Sequence, residues 1–160
     1  MSNYRKIIID QLVPYFRKDE RYHLLVGDMG FGAIDKMHDE MPERITNCGV
    51  AEQGMVGIAA GMALAGMRPV VYSIVNFLVY RALEQIRNDV VLQELPVKFI
   101  ATGCDDYFRF LGDCHCCGKD DIKLIDMIGM KVYDPYYDAD RFDILIDKFI
   151  KSKKPAYIRV

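Results

Sequence analysis

No stretch of these 160 residues strings together the roughly 18 apolar positions that a membrane span requires, so the 51% hydrophobic content reads as core. Neither sign of charge dominates: 21 Lys and Arg against 23 Asp and Glu leave a net charge of −2. That balance gives no footing for nucleic acid, which calls for a basic patch. The N-terminus, MSNYRKIIIDQL, carries charge and lacks the shape of a secretory leader, so a cytoplasmic protein is expected. No repeat, low-complexity tract or Gly/Ser/Pro-rich linker divides the chain, and its length suits a single domain over 1–160. The five cysteines are an odd number, with Cys114, Cys116 and Cys117 crowded together. They make a poor disulfide framework and fit a reducing compartment. Cys114-His115-Cys116-Cys117 lacks the C-x₂₋₄-C spacing of a zinc site and has no second cluster to complete it. No metal is expected there.

What is present is an alternation of helix and strand signals. Ile8, Leu12, Tyr15 and Phe16 recur at helical spacing over Tyr4 to Phe16, and Pro14 is expected to end or kink that helix. Buried strands are expected at Tyr22–Val26, Arg68–Tyr72, Val97–Ala101, Lys131–Tyr133 and Ala156–Val160. Between them, helices are expected from Ala33 to Met41, from Ala51 to Ala65, around Ala82 to Val91, from a cap at Asp120 or Asp121 to Gly129, and over Asp138 to Lys151. This spacing argues for an α/β domain whose mostly parallel sheet is covered on both faces. Ligands of such sheets lie at the carboxyl ends of the strands. Asp28, the Ser73 to Phe77 loop and the irregular Thr102 to Lys119 loop fall at those ends.

The stretch from Asn47 to Asp89 organises the rest. Gly54, Gly57 and Gly61 lie close to one helical face, and their cost within a helix predicts close approach to another backbone. Glu52 stands where that helix begins. By itself it would read as a first-turn acid complementing the helix dipole. However, PERITNCGVAEQGMVGIAAGMALAG, followed by RPVVYSIVNF and RALEQIRND, resembles the pyrimidine-binding domain of thiamine-diphosphate enzymes of the transketolase group. It is most similar to split transketolases and 1-deoxyxylulose-5-phosphate synthase, and more loosely to the beta subunits of 2-oxoacid dehydrogenases.

The resemblance implies the thiamine-diphosphate-binding fold and a set of roles. Glu52 falls on the glutamate that hydrogen-bonds N1′ of the cofactor's aminopyrimidine. A carboxyl sharing a proton there favours the imino tautomer that deprotonates the thiazolium carbon. Phe77 falls on the aromatic that stacks against the pyrimidine. Asp28, within Gly27-Asp28-Met29-Gly30-Phe31-Gly32, matches an aspartate beside the cofactor; its other reading is a turn residue accepting backbone hydrogen bonds. His115 precedes Pro135 by about the separation that transketolases show between a substrate-facing histidine and a proline. It would bind a sugar hydroxyl or carbonyl or exchange protons with it, unless it is a solvated loop histidine. Arg81 is a candidate for a substrate phosphate or, equally, for a surface salt bridge.

The chain also departs from the family. Where transketolases read G-E-D-G-x-T-H, it has Arg109-Phe110-Leu111-Gly112-Asp113-Cys114-His115, without the acidic pair unless Asp113 replaces one member. It also lacks the G-D-G and downstream Asn that hold Mg²⁺ and diphosphate. The expectation is therefore the small subunit of a split transketolase-like enzyme. A partner subunit would supply the Mg²⁺ and diphosphate site in a heterotetramer, and the reaction would transfer a two-carbon ketol unit between sugars or sugar phosphates. Two alternatives stay open: a subunit of a thiamine-diphosphate-dependent 2-oxoacid decarboxylase or dehydrogenase, and a non-catalytic binding or regulatory subunit.

Overall fold

The computed structural model describes residues 4–137 and 141–160. Its elements are α1 (Tyr4–Lys18), β1 (Tyr22–Val26), α2 (Asp35–Glu40), β2 (Ile45–Asn47), α3 (Glu52–Leu64), β3 (Arg68–Ile74), α4 (Ala82–Gln85), β4 (Lys98–Thr102), α5 (Asp120–Met127), β5 (Lys131–Tyr133), α6 (Phe142–Lys151) and β6 (Ala156–Arg159). Wider π-type turns, Phe77–Arg81 and Ile86–Val91, flank α4. The six strands form one parallel sheet in the order β2-β1-β3-β4-β6-β5. From β1 the chain steps outward to β2, then crosses back over β1 to β3. The gap between the carboxyl ends of β1 and β3 is thus a topological switch point, where open α/β sheets bind ligands.

Side chains leave a strand alternately on its two sides, and the core divides accordingly. Leu24, Val26, Val70, Tyr72, Ile100 and Ile158 pack with α1 and α6, whereas Leu25, Val71, Phe99, Ala101 and Tyr157 pack with α3, the 77–91 helical segment and α5. The expected doubly covered parallel sheet is the one observed.

Four local expectations need correction. First, α1 does not stop at Pro14 but runs on to Lys18. Pro14 is exposed, and the last turn is held by buried Phe16 and by the Asp19 N–H donating to the Tyr15 carbonyl at 3.1 Å. Second, β2 pairs with β1 where no strand was expected; three residues carry too little periodicity to be read. Third, Asp120 and Asp121 do not cap α5, because both carboxylates are recruited elsewhere. Asp120 accepts from the Tyr80 hydroxyl at 2.8 Å, and Asp121 accepts from Tyr157 and Arg159. Fourth, Gly54, Gly57 and Gly61 approach no other backbone of this chain: a Cβ added at any of them would have no neighbour within 4 Å. They form the open face of α3, opposite buried Met55, Val56, Ala59 and Ala63. Gly57→Ala is therefore expected to stabilise the isolated chain by about 0.5–1 kcal/mol, read as a raised urea midpoint. The first residues expected for the last helix, 138–140, lie outside the described residues.

Lys98, at the start of β4, is 2% exposed, and its ammonium donates to the carbonyls of Lys154 at 2.7 Å and Pro96 at 3.3 Å. Burial, with the neighbouring Arg68 charge, pulls its pKa from 10.5 down to about 7. A base whose folded pKa is depressed is favoured in its neutral form. Its contribution to stability is complete above the unfolded value and is lost as pH falls toward the folded one. The urea midpoint of Lys98→Met relative to the parent is expected to be highest near pH 7 and to decline toward pH 9. Parallel pH profiles for the two proteins would contradict this assignment.

Candidate active site

Glu52 is the first residue of α3, yet it is 1% exposed. Its carboxylate lies at the β1/β3 switch point. Oε1 accepts from the Ser73 hydroxyl of β3 at 3.3 Å, and Oε2 pairs with Arg81 Nη1 at 2.5 Å. From the β1 side the neighbour is Gly27, where an added Cβ would stand 3.2 Å from Ser73 Oγ and 3.6 Å from Glu52 Oε1. Only a residue without a side chain leaves this approach to the carboxylate clear.

Arg81 joins Glu52 to the aromatic part of the site. Its guanidinium carbon stands over the Phe77 ring, 4.7 Å from the centroid. The Phe77 ring meets His115 edge-on, with centroids 4.9 Å apart and planes at 67°. Both contacts depend on the π-type turn at Phe77–Arg81, a form of helix that often marks functional positions. Asn76, just before this turn, donates from its amide to the Cys114 carbonyl, tying the tip of the His115 loop to the end of β3. Within the loop, Cys114 Sγ lies 3.2 Å from His115 Nδ1.

Asp28 is held separately. It has a left-handed backbone with φ 51°, and Asn47 at the end of β2 stabilises it. Asn47 Oδ1 accepts from the N–H groups of Asp28 and Gly49, both at 3.0 Å, while Nδ2 donates to the Asp28 carboxylate at 3.1 Å. The exposed Asp28 carboxylate thus sits one residue beyond Gly27, with its orientation fixed by Asn47.

The base of the 103–119 loop is locked by Arg159, at the end of β6 and fully buried. Its guanidinium donates to Asp121 at 2.9 Å, Asp134 at 3.0 Å and Asp105 at 3.0 Å, and reaches the Gly118 carbonyl at 3.4 Å. One cation therefore gathers both ends of the loop, the start of α5 and the residue after β5. Cys104 and Cys117 are buried beside this cluster, and burial pushes each thiol up to about 12. These two sulfurs are protonated and unreactive near neutrality. The five cysteines are free thiols, and no group of three or more His, Cys, Asp or Glu among the described residues is placed to hold a metal ion.

Four of the five sequence-selected residues, Glu52, Arg81, Phe77 and His115, thus form one continuous chain of contacts. Asp28 flanks it on the β1 side. Sequence reasoning gave no role to Ser73, Asn76, Asn47 or Arg159. A polar residue at or just past a strand's carboxyl end is the one signal they share.

Residues 1–160 match the family model described as the pyrimidine-binding domain of transketolase. The chain is 29% identical over 157 residues to the 6-deoxy-6-sulfo-D-fructose transketolase subunit SqwH of Clostridium sp. (strain MSTE9), covering 98% of this chain and 48% of that protein. It is 30% identical to one of the apulose-4-phosphate transketolase subunits of Phocaeicola vulgatus, covering 98% of this chain and 50% of that protein. Among solved structures, a split-gene transketolase described as an inactive beta4 tetramer superposes with a TM-score of 0.81 at 29% identity, over 97% of this chain and 50% of that one. The chain spans about half the length of these relatives. Among the described residues, no helix is long and apolar enough to cross a membrane. The match over the whole sequence, on a fold of the same architecture, places this chain in the transketolase pyrimidine-binding domain family.

Proposed function

We propose that this chain is the pyrimidine-binding part, one domain over 1–160, of a split thiamine-diphosphate-dependent transketolase that moves a two-carbon ketol unit between sugars. The observation that carries the proposal is Glu52: a carboxylate buried at a helix start, reachable past a glycine, with an aromatic ring close by. These residues suit a planar aminopyrimidine. Glu52 would share a proton with N1′, Phe77 would stack on the ring, and Asp28, oriented by Asn47, would lie beside the cofactor. Thiamine diphosphate, when bound, would supply an acidic carbon able to act as a nucleophile toward a ketose. His115, against Phe77, would exchange protons with the sugar's hydroxyl or carbonyl, and Arg81, released from Glu52, would be the cation available to a substrate phosphate. The names of two relatives refer to sugars carrying a sulfo group or a phosphate, which supports an anionic sugar as substrate.

Mg²⁺ and the diphosphate would be held by a partner subunit, in a cytoplasmic heterotetramer. Phe31, Val50 and Phe110 support this reading. They follow β1, β2 and β4 at the carboxyl edge of the sheet and are 89%, 65% and 77% exposed, and large exposed apolar side chains on the edge that carries Glu52 are suited to burial by another chain.

The test is calorimetric titration of thiamine diphosphate with Mg²⁺ into the chain alone and into its mixture with a candidate partner carrying G-D-G and a downstream Asn. Binding is expected only in the mixture, followed by ketose-to-aldose transfer. No binding in either sample would sink the cofactor assignment. Release of CO₂ from a 2-oxoacid, without sugar transfer, would move the chain to the decarboxylase class.

A further inference from the structure

Resting on the cofactor reading above, we propose that Arg81 is an affinity-setting residue: its guanidinium occupies the ground that the aminopyrimidine needs and must be displaced for the cofactor to bind. A guanidinium is planar, carries N–H donors along its edge and stacks on aromatic faces. Arg81 uses both properties at once. Its edge is on Glu52 Oε2 at 2.5 Å, and its central carbon is over Phe77 at 4.7 Å. A ring that shares a proton with Glu52 and stacks on Phe77 makes the same pair of contacts, with a carboxylate at its edge and an aromatic at its face. Two planar groups cannot hold both positions together.

The arrangement also has a clear energetic reason. Glu52 is 1% exposed, and a buried carboxylate without a counter-charge is costly. Among the described residues the other oxygen has only the neutral Ser73 hydroxyl, so Arg81 is the cation that makes the burial tolerable. Its own side chain is 39% exposed, which gives it an open side toward which to swing. The chain therefore keeps its carboxylate compensated and its aromatic face covered by one movable cation.

If the competent conformation is the one with Arg81 displaced, apparent affinity falls by the fraction of molecules in that state. Removing the competitor must then tighten binding, whereas removing a residue that helps hold the cofactor would weaken it. The experiment measures thiamine diphosphate binding by calorimetry, at fixed Mg²⁺, to the complex of this chain with its diphosphate-binding partner. Arg81→Gln is expected to lower Kd about tenfold. Arg81→Lys, which keeps the charge but loses the planar stack, is expected to fall between Arg81→Gln and the parent.

Melting of the isolated chain gives a second readout. Arg81→Gln should lower Tm by stranding Glu52, and adding Glu52→Gln to that variant should recover much of the loss. An unchanged or weaker affinity in Arg81→Gln, with the parent binding normally, overturns the role of Arg81 and leaves the cofactor reading standing. An unchanged Tm in Arg81→Gln overturns the pairing itself. Absence of binding to every complex removes the cofactor reading, and the competition with it.

Discussion

Replacing Glu52 with Gln is expected to lower turnover of the assembled enzyme by about 10²–10⁴-fold, the range typical of a lost proton-transfer group. Glutamine preserves the volume, and its carbonyl can still accept from Ser73 Oγ, which now lies 3.3 Å from the carboxylate. What it removes is the negative charge that faces Arg81 and, on the proposed reading, the ability to share a proton with N1′. The loss should therefore fall on kcat, with KM for the ketose little changed, as for an interaction that matters at the chemical step. Steady-state assay with far-UV circular dichroism separates this from misfolding. Full turnover in the variant would remove Glu52 from the chemistry and leave a subunit that serves by binding alone.

Arg159→Met is expected to be the most destabilising single change outside the apolar core, at about 3–5 kcal/mol, because it leaves buried carboxylates without their cation. Asp121 is fully buried and Asp134 9% exposed, so neither carboxylate can turn to water without opening the fold. Tyr157→Phe removes one hydroxyl donating to Asp121 at 2.9 Å but leaves the arginine in place, and should cost about 1 kcal/mol. Urea denaturation of both variants gives the contrast, and similar losses would mean that the cluster acts through packing and not through charge. The same arginine variant should increase hydrogen exchange across residues 103–119, whose two ends it joins.

Most of the sheet was legible because its central strands, β1, β3, β4 and β6, are buried on both faces. Short apolar runs such as Leu24–Val26 and Phe99–Ala101, separated by helical periods, have few other folds open to them. Glu52 and Phe77 were legible through the motif that contains them, since neither residue type is distinctive alone. The bonds that set the site's geometry were not. Asn47 fixes Asp28 across 19 residues and Asn76 fixes Cys114 across 38, and such pairings exist only once strand register is known. The same applies to Arg159, which reads as one charge in a short strand until the fold brings Asp105, Asp121 and Asp134 around it. The glycines of α3 were misread for a related reason. Their spacing predicts a close neighbour, but spacing does not say whether that neighbour belongs to the same chain.

The position of Arg159 also sets the order in which the site matures during synthesis. Asp105 is translated 54 residues before the arginine that secures it, an interval of about 3–10 s at roughly 5–20 residues per second. Throughout that time β1 and β3 can pair and Glu52 can find its place, but the loop bearing His115 and its neighbouring cysteines is held at its tip by Asn76 and not yet at its base. The His115 side of the site is thus fixed after the Glu52 side.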